Sequence, residues 1–360
     1  MDDKSKYIER KLISDYRKKL LANPKLQFLF FELTNGCNLK CLHCGSSCGE
    51  DKAKFLDKNL IFKTLKSVKE NYGTKDILIC LTGGEPLLHK DFFEIVCKIN
   101  EMGFCWGMTT NATLITEEVA KKLLECRMMS VSYSIDGNKE SHDILRGKQG
   151  AYVSCVNGIK NGQKIYGKEV VTMITTVFHK KNIEQLEQIY QEVKNLNVDM
   201  WRPINIEPIG RANEHKDLFL DNKDYIKLFD FIKQKQKEKS DPEVLYGCSH
   251  YLPTKYEKEI RESCFLCGSG IFVASVLCNG DIYSCLDIER RPELVQGNVK
   301  TDDFSDIWKN KFKQFRQDRS DCDFCKGCSE KEFCFGDSAH TYNYNEKRPN
   351  LCLFKKLKGE

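Results

Sequence analysis

Six short apolar runs punctuate the first part of the chain: QFLFFEL (27–33), DILICLTG (76–83), FCWGMTT (104–110), SVSYSID (130–136), VVTMITTVF (170–178) and VDMWRPINI (198–206). They are rich in β-branched and aromatic residues and predict strands. Between them, apolar positions recur at helical spacing near 57–72, 89–102, 115–126, 150–166 and 182–195, which predicts helices. One more helix is predicted over 4–23, ahead of Pro24. Strands alternating with helices imply a parallel sheet. Six such units predict an α/β fold built on a partial (β/α)6 TIM-like barrel, short of the eight units of a closed one.

Barrels of this kind place their active sites at the C-terminal ends of the strands. The unusual residues stand there: Cys37 after the first run, Gly83-Gly84-Glu85-Pro86 after the second, Asn111 after the third, Ser134 and Asp136 at the fourth. Beyond residue 220 the pattern changes. Residues 221–262 read as a helical connector. From 263 to 352 the chain is loop-rich and Cys-rich, too poor in long apolar runs to build a good core alone, so that metal clusters would have to staple it. The expected organisation is an N-terminal helical extension (1–24), the barrel (25–220), the connector (221–262), a cluster-binding domain (263–352) and a tail (353–360).

Composition sharpens this picture at one point. There are 19 cysteines in 360 residues. The N-terminus is charged and lacks a signal-peptide core, and no apolar run is long enough to span a membrane. A cytoplasmic location is the expectation. A reducing compartment disfavours disulfides and turns the reading toward metal ligation or catalysis. Four cysteines fall within 37–48 and nine within 264–352. Cys80, Cys97, Cys105, Cys126 and Cys155 stand singly and read as small packed hydrophobes. The net charge of +5 is too even to argue for nucleic acid, and the Lys-rich stretch at 233–239 reads as a solvated helix face.

Cys37, Cys41 and Cys44 form a CxxxCxxC loop directly after the first predicted strand. Three close thiolates suit an iron–sulfur cubane with one iron left open; the spacing alone also suits zinc. With LTGGEP (81–86) following TNGCNLKCLHC (34–44), the chain resembles the radical S-adenosylmethionine (SAM) superfamily. That resemblance implies a [4Fe–4S] cluster on the three cysteines. SAM would chelate its open iron, and reductive cleavage would yield a 5′-deoxyadenosyl radical that removes a hydrogen atom from substrate. It further implies that Gly83, Gly84, Glu85 and Pro86 meet the methionine amino group, with Asn111 also in the pocket. SIDGNKESHDILRG (134–147) is similar to peptide-modifying members, which would bring Ser134, Asp136 and Arg146 near the SAM ribose and carboxylate. His43 stands where the family has an aromatic residue beside the adenine.

The later cysteines resemble the SPASM extension of that superfamily, which carries two auxiliary [4Fe–4S] clusters. By that resemblance Cys325, Cys328, Cys334 and Cys352 would hold one cluster. Cys267 and Cys285 would hold the other, with Cys264 and an uncertain fourth ligand. Ser338 replaces the usual cysteine there, which leaves an open iron or a substitute ligand such as Cys322, Asp337 or Ser338. A zinc ribbon is the plainer alternative for this region. Cys48 and Cys278 have no assigned role. The resemblance implies three [4Fe–4S] clusters, a flavodoxin- or ferredoxin-type reductant and a peptide or protein substrate that is oxidised or cross-linked. Sulfatase-maturase-like formylglycine formation, small-molecule dehydrogenation and simple electron transfer are the rival readings.

Overall fold

The computed structural model describes residues 3–49, 52–248, 250–257, 259–261 and 265–358. Helix α1 (Asp3–Ala22) precedes the repeating unit, which runs β1 (Phe28–Glu32), α2 (Lys58–Tyr72), β2 (Leu78–Thr82), α3 (Phe92–Glu101), β3 (Cys105–Thr110), α4 (Glu117–Glu125), β4 (Ser130–Ser134), α5 (Lys139–Arg146), α6 (Ala151–Tyr166), β5 (Val171–Phe178), α7 (Leu186–Asn195) and β6 (Met200–Asn205). Strands β1 to β6 lie side by side in chain order, all parallel. The six expected strands and their covering helices are therefore present. Helix α5 is an addition, capped by the Asn138 side chain on the Ser141 N–H.

The region after 220 differs from expectation. Helix α8 (Asn222–Lys237) is followed by β7 (Glu243–Val244), which pairs with β6, and by the single turn α9 (Thr254–Glu257). The connector is thus helical only in its first half. The Cys-rich region contributes β8 (Val273–Val276), which pairs in parallel with β1 in the register Phe28↔Val273. It then turns into antiparallel β9 (Asp281–Tyr283) and β10 (Gly297–Asn298). The sheet has ten strands and crosses the expected domain boundary. Helix α10 (Phe304–Asn310) docks on α2, where Ser67 Oγ donates to Asp303. Trp308, Phe312 and Phe315 join the same buried core as the barrel residues Trp106 and Trp201. The C-terminal region does not lack a core; it shares the barrel's.

Helix α1 packs on the C-terminal region. Ser14 Oγ donates to the Glu332 carbonyl (2.7 Å), and the buried Arg17 donates to the Cys334 carbonyl (2.9 Å) while stacking on Phe335. Cys97 and Cys126, read from the sequence as separate packed thiols, are joined as a disulfide between α3 and the end of α4. Cys155 is buried and Cys105 is exposed. Among the described residues no helix is long and apolar enough to cross a membrane.

Candidate active site

The loop carrying Cys37, Cys41 and Cys44 is laid across the C-terminal end of α5. The Lys40 and Leu42 N–H groups donate to the carbonyls of Arg146 (3.2 Å) and Leu145 (2.8 Å). Gly147 permits this crossing. It caps α5 at φ +67°, and a Cβ there would stand 2.5 Å from the Lys40 carbonyl oxygen, a left-handed position that favours glycine. The loop after β2 docks on the other side: Gly84 N–H donates to the Thr34 carbonyl (2.7 Å) and Glu85 N–H to the Gly36 carbonyl (2.9 Å). A Cβ on Gly84 would stand 2.0 Å from that Gly36 oxygen and 2.9 Å from the Cys37 Cβ. The Gly-Gly-Glu-Pro shelf and the three-cysteine loop are therefore one hydrogen-bonded unit at the C-terminal ends of β1 and β2.

Each thiol in the triad has a donor beside it. Asn111 Nδ2 lies 3.8 Å from Cys37 Sγ, and the Leu39 N–H donates to the same sulfur at 3.4 Å. Arg146 Nη1 lies 3.7 Å from Cys41 Sγ. The Cys48 N–H donates to Cys44 Sγ at 3.2 Å. Burial pushes the Cys37 thiol up to about 11, whereas the Cys48 thiol, helped by its N–H and Arg211, draws Cys44 down to about 6. Cys48, unassigned from the sequence, is thus a hydrogen-bond donor to a candidate ligand sulfur. Hydrogen bonds to sulfur are a lever by which a protein tunes an iron–sulfur centre. Arg211, which sequence reading missed, clamps the loop by donating to the carbonyls of Cys41 (2.6 Å) and Cys48 (2.7 Å).

Glu85 is fully buried. Its carboxylate accepts from Thr110 Oγ1 (2.8 Å), the Asn111 N–H (2.9 Å) and the Leu87 N–H (3.3 Å). Burial raises it to about 7 despite these donors. Pro86 opens the short turn that follows. Asp136, also fully buried, accepts from the Val177 N–H (2.8 Å) and forms an ion pair with Arg146. Burial opposes its charge, but Arg146 and then His43 outweigh that and hold it down at about 2. Arg146 therefore reaches both Asp136 and Cys41. His43 faces the same carboxylate, its Nε2 3.9 Å from Asp136 Oδ2, and burial lowers it to about 3. Ser134 closes β4, its carbonyl accepting from the Cys155 thiol.

In the C-terminal region, Cys325, Cys328, Cys334 and Cys352 line one small cavity together with Asp337, Tyr251 and Phe354. Burial pushes Cys325 and Cys352 up to about 12 and raises Cys334 as well. Four converging thiols, Cys325 and Cys334 buried and Cys328 and Cys352 half-buried, fit the four-thiolate demand of an iron–sulfur cluster, whose charge would offset that of the sulfurs. Cys267 Sγ accepts from the Ala339 N–H (3.3 Å), and Cys285 senses Cys267. Cys322, considered with that pair, has its side-chain contact with Cys325 of the other set. Cys264 lies outside the described residues. Ser338 is fully buried next to these sulfurs, with its hydroxyl 3.0 Å from His340 Nδ1. Cys278 follows β8 and donates its N–H to Glu32.

The chain matches the Radical SAM superfamily over residues 31–193 and the SPASM iron–sulfur cluster-binding domain over residues 267–329. It is 30% identical to the AdoMet-dependent heme synthase of Methanosarcina barkeri, over 92% of this chain and 97% of that protein. It is 27% identical to the mycofactocin maturase MftC of Mycobacterium tuberculosis, over 86% and 77%. Among solved structures, anSMEcpe with bound AdoMet superposes with a TM-score of 0.70 at 22% identity, covering 93% of this chain and 94% of that one. SuiB of Streptococcus suis bound to its precursor peptide SuiA gives 0.69 at 17%, covering 93% and 77%. These last two support the fold. This protein belongs to the radical SAM superfamily and is a SPASM-domain enzyme. Both of its domains imply iron–sulfur clusters.

Proposed function

We propose that the chain binds SAM above a [4Fe–4S] cluster on Cys37, Cys41 and Cys44 and takes a hydrogen atom from a peptide or protein substrate, leaving an oxidised or cross-linked residue. The observation that carries this reading is convergence. The loops after β1 and β2 and the residues after β3 hydrogen-bond to one another, so three thiols, the glycine shelf and a buried carboxylate share one end of the barrel. When bound, the cofactor and cluster supply radical chemistry on one-electron reduction, with a flavodoxin or ferredoxin as electron source. The chain's own residues bind and hold. Gly83 and Gly84 give the ligand access to backbone, Glu85 offers its carboxylate to the methionine ammonium, and Arg146 and Cys48 favour thiolate at Cys41 and Cys44. The reading extends to two auxiliary clusters. Cys325, Cys328, Cys334 and Cys352 would hold one, and Cys267 and Cys285, with Cys264, would help to hold the other.

The match to MftC, named a maturase, supports a peptide substrate. The longer match to a heme synthase supports a second reading, oxidation of an iron tetrapyrrole. One experiment separates them. The anaerobically reconstituted protein is given dithionite, SAM and either peptides encoded beside its gene or Fe-coproporphyrin III, and the products are read by mass spectrometry. 5′-Deoxyadenosine is expected in either case; its absence from a protein whose reduced cluster is visible by EPR ends the enzymatic reading. A peptide that loses hydrogen supports the first substrate, and a converted porphyrin the second.

Glu85 yields a prediction with opposing effects. Its folded pKa lies above its unfolded value, so its ionisation costs stability from about pH 4.5 upward, fully so above about 7. The melting temperature of Glu85→Gln relative to the wild type, both SAM-free, should be more favourable at pH 8 than at pH 5, although its amide NH2 must face a backbone N–H that the carboxylate accepted. It should also weaken SAM binding at least about tenfold by calorimetry, because the charge facing the ammonium is gone.

A further inference from the structure

Outside the cysteine sets, three side chains converge from distant parts of the chain. Glu207 follows β6, His250 lies beyond β7, and His340 lies in the C-terminal region. One ligand atom from each falls within 4.8 Å of the other two. His250 Nε2 is 2.5 Å from Glu207 Oε1, and His340 Nε2 is 3.8 Å from the same oxygen. The outward nitrogens have outer partners as well. His250 Nδ1 lies 3.6 Å from Asp337 Oδ1, and His340 Nδ1 lies 3.0 Å from Ser338 Oγ. Asn205 Nδ2 donates to Glu207 Oε1 at 2.7 Å and is itself held by Tyr246.

A simple ion pair explains the contact of His250 with Glu207. It does not explain why a second imidazole, His340, brings Nε2 to 3.8 Å from the same carboxylate while Ser338 Oγ stands 3.0 Å from its Nδ1 and 3.4 Å from its Nε2; an outer oxygen partner is how metal-ligating histidines are supported. Nor does the ion pair use Glu207 Oε2, which is buried without a hydrogen-bond partner. We propose that Glu207, His250 and His340 form a binding site for one divalent first-row cation, zinc being the simplest occupant. Two imidazoles and a carboxylate are an established ligand set for a zinc ion that keeps an open position. Tetrahedral ligands at about 2.0–2.1 Å stand about 3.3 Å apart, so Glu207 and His250 must open from 2.5 Å while His340 moves in from 3.8 Å. His340 and Glu207, each 12% exposed at the side chain, are the members with room to move.

The location gives the site a use. The Glu207 loop packs on the radical-cluster loop, with the Arg211 N–H donating to the Cys44 carbonyl at 3.0 Å. On the other side, the Asp337 N–H donates to Cys334 Sγ and the Ala339 N–H to Cys267 Sγ. The cation would thus sit between all three cysteine sets, and His340 also lines a crevice with Ile209, Ile288 and Tyr342. A substrate carboxylate, imidazole or thiolate is the donor the cation would take.

The test uses holoprotein with its iron–sulfur clusters loaded, equilibrated anaerobically with zinc. One zinc per chain is expected, with an X-ray absorption shell of nitrogen and oxygen at about 2.0–2.1 Å and no sulfur at about 2.3 Å. Glu207→Gln and His340→Ala should each weaken zinc binding at least about 100-fold while iron and sulfide contents stay unchanged. His250→Ala is the stricter variant, and its iron content reports whether it has folded. Zinc uptake equal in wild type and the first two variants overturns the proposal. So does a zinc–sulfur shell, which means occupation of cluster cysteines, or a His340→Ala change in the auxiliary-cluster EPR with zinc uptake intact, which makes His340 a cluster ligand instead.

Discussion

Replacing Cys37, Cys41 and Cys44 together by alanine should abolish 5′-deoxyadenosine formation, a loss of at least about 1,000-fold, while the C-terminal iron–sulfur signal survives. The expectation follows from how the thiols are distributed. The triad lies in a loop with its own small apolar cluster of Leu39 and Ala151. The C-terminal thiols line a separate cavity walled by Tyr251, Phe324 and Phe354. Removing three sulfurs from the first takes no packing from the second. Iron should fall by about four atoms of about twelve per chain if each cluster is a cubane. Loss of nearly all iron would show instead that the three sites assemble together. Cleavage that persists would remove the triad from its role.

The largest expected effect on stability comes from Arg146→Met. Asp136 is fully buried, and the Arg146 guanidinium is its chief compensating charge. Breaking a buried pair by removing one partner leaves an uncompensated charge and costs about 3–5 kcal/mol. The double variant Asp136→Asn/Arg146→Met should be less destabilised than the sum of the single changes, because the buried charge leaves with its partner. The sign of the pH effect is fixed by Asp136. Its folded pKa is depressed, so its contribution is present above about pH 3.8 and is lost as pH falls through about 2. In the variant, burial acts on Asp136 with its chief opposing charge gone and raises its pKa, so denaturant unfolding should show a larger Arg146→Met penalty at pH 8 than at pH 5. Additive single and double changes would mean that the two residues do not act as a pair. Because Arg146 also touches Cys41, the same variant should shift the EPR signal of the triad's cluster.

What was legible in the sequence, and what was not, follows from range and length. Strands such as Val171–Phe178 are long enough for β-branched composition to speak locally, and the six-strand parallel order follows from their alternation with helices. The triad and the glycine shelf were legible because each is compressed into a few residues. Strands β8, β9 and β10 have four, three and two residues, too few for any period to show, and their place beside β1 is a matter of tertiary pairing. Helix α5 was hidden inside a stretch read for its charged residues. The Cys97–Cys126 link spans 29 residues without a motif, so each cysteine looked like filler. Glu207, His250 and His340 carry no mutual spacing at all. Only the folded chain places a carboxylate from the end of a barrel strand against imidazoles from two later loops.

The pairing of β1 with β8 also bears on how the protein is made. Strand β1 leaves the ribosome long before the partner on its outer edge, which begins at Val273. Until then the strand offers unpaired N–H and C=O groups, which invite pairing with other chains, and contacts so distant in sequence form slowly. The nascent chain therefore carries an incomplete sheet until β8 has been made. A version ending before residue 273 would keep that edge open, aggregate, and make a poor support for the three-cysteine loop at the end of the same strand.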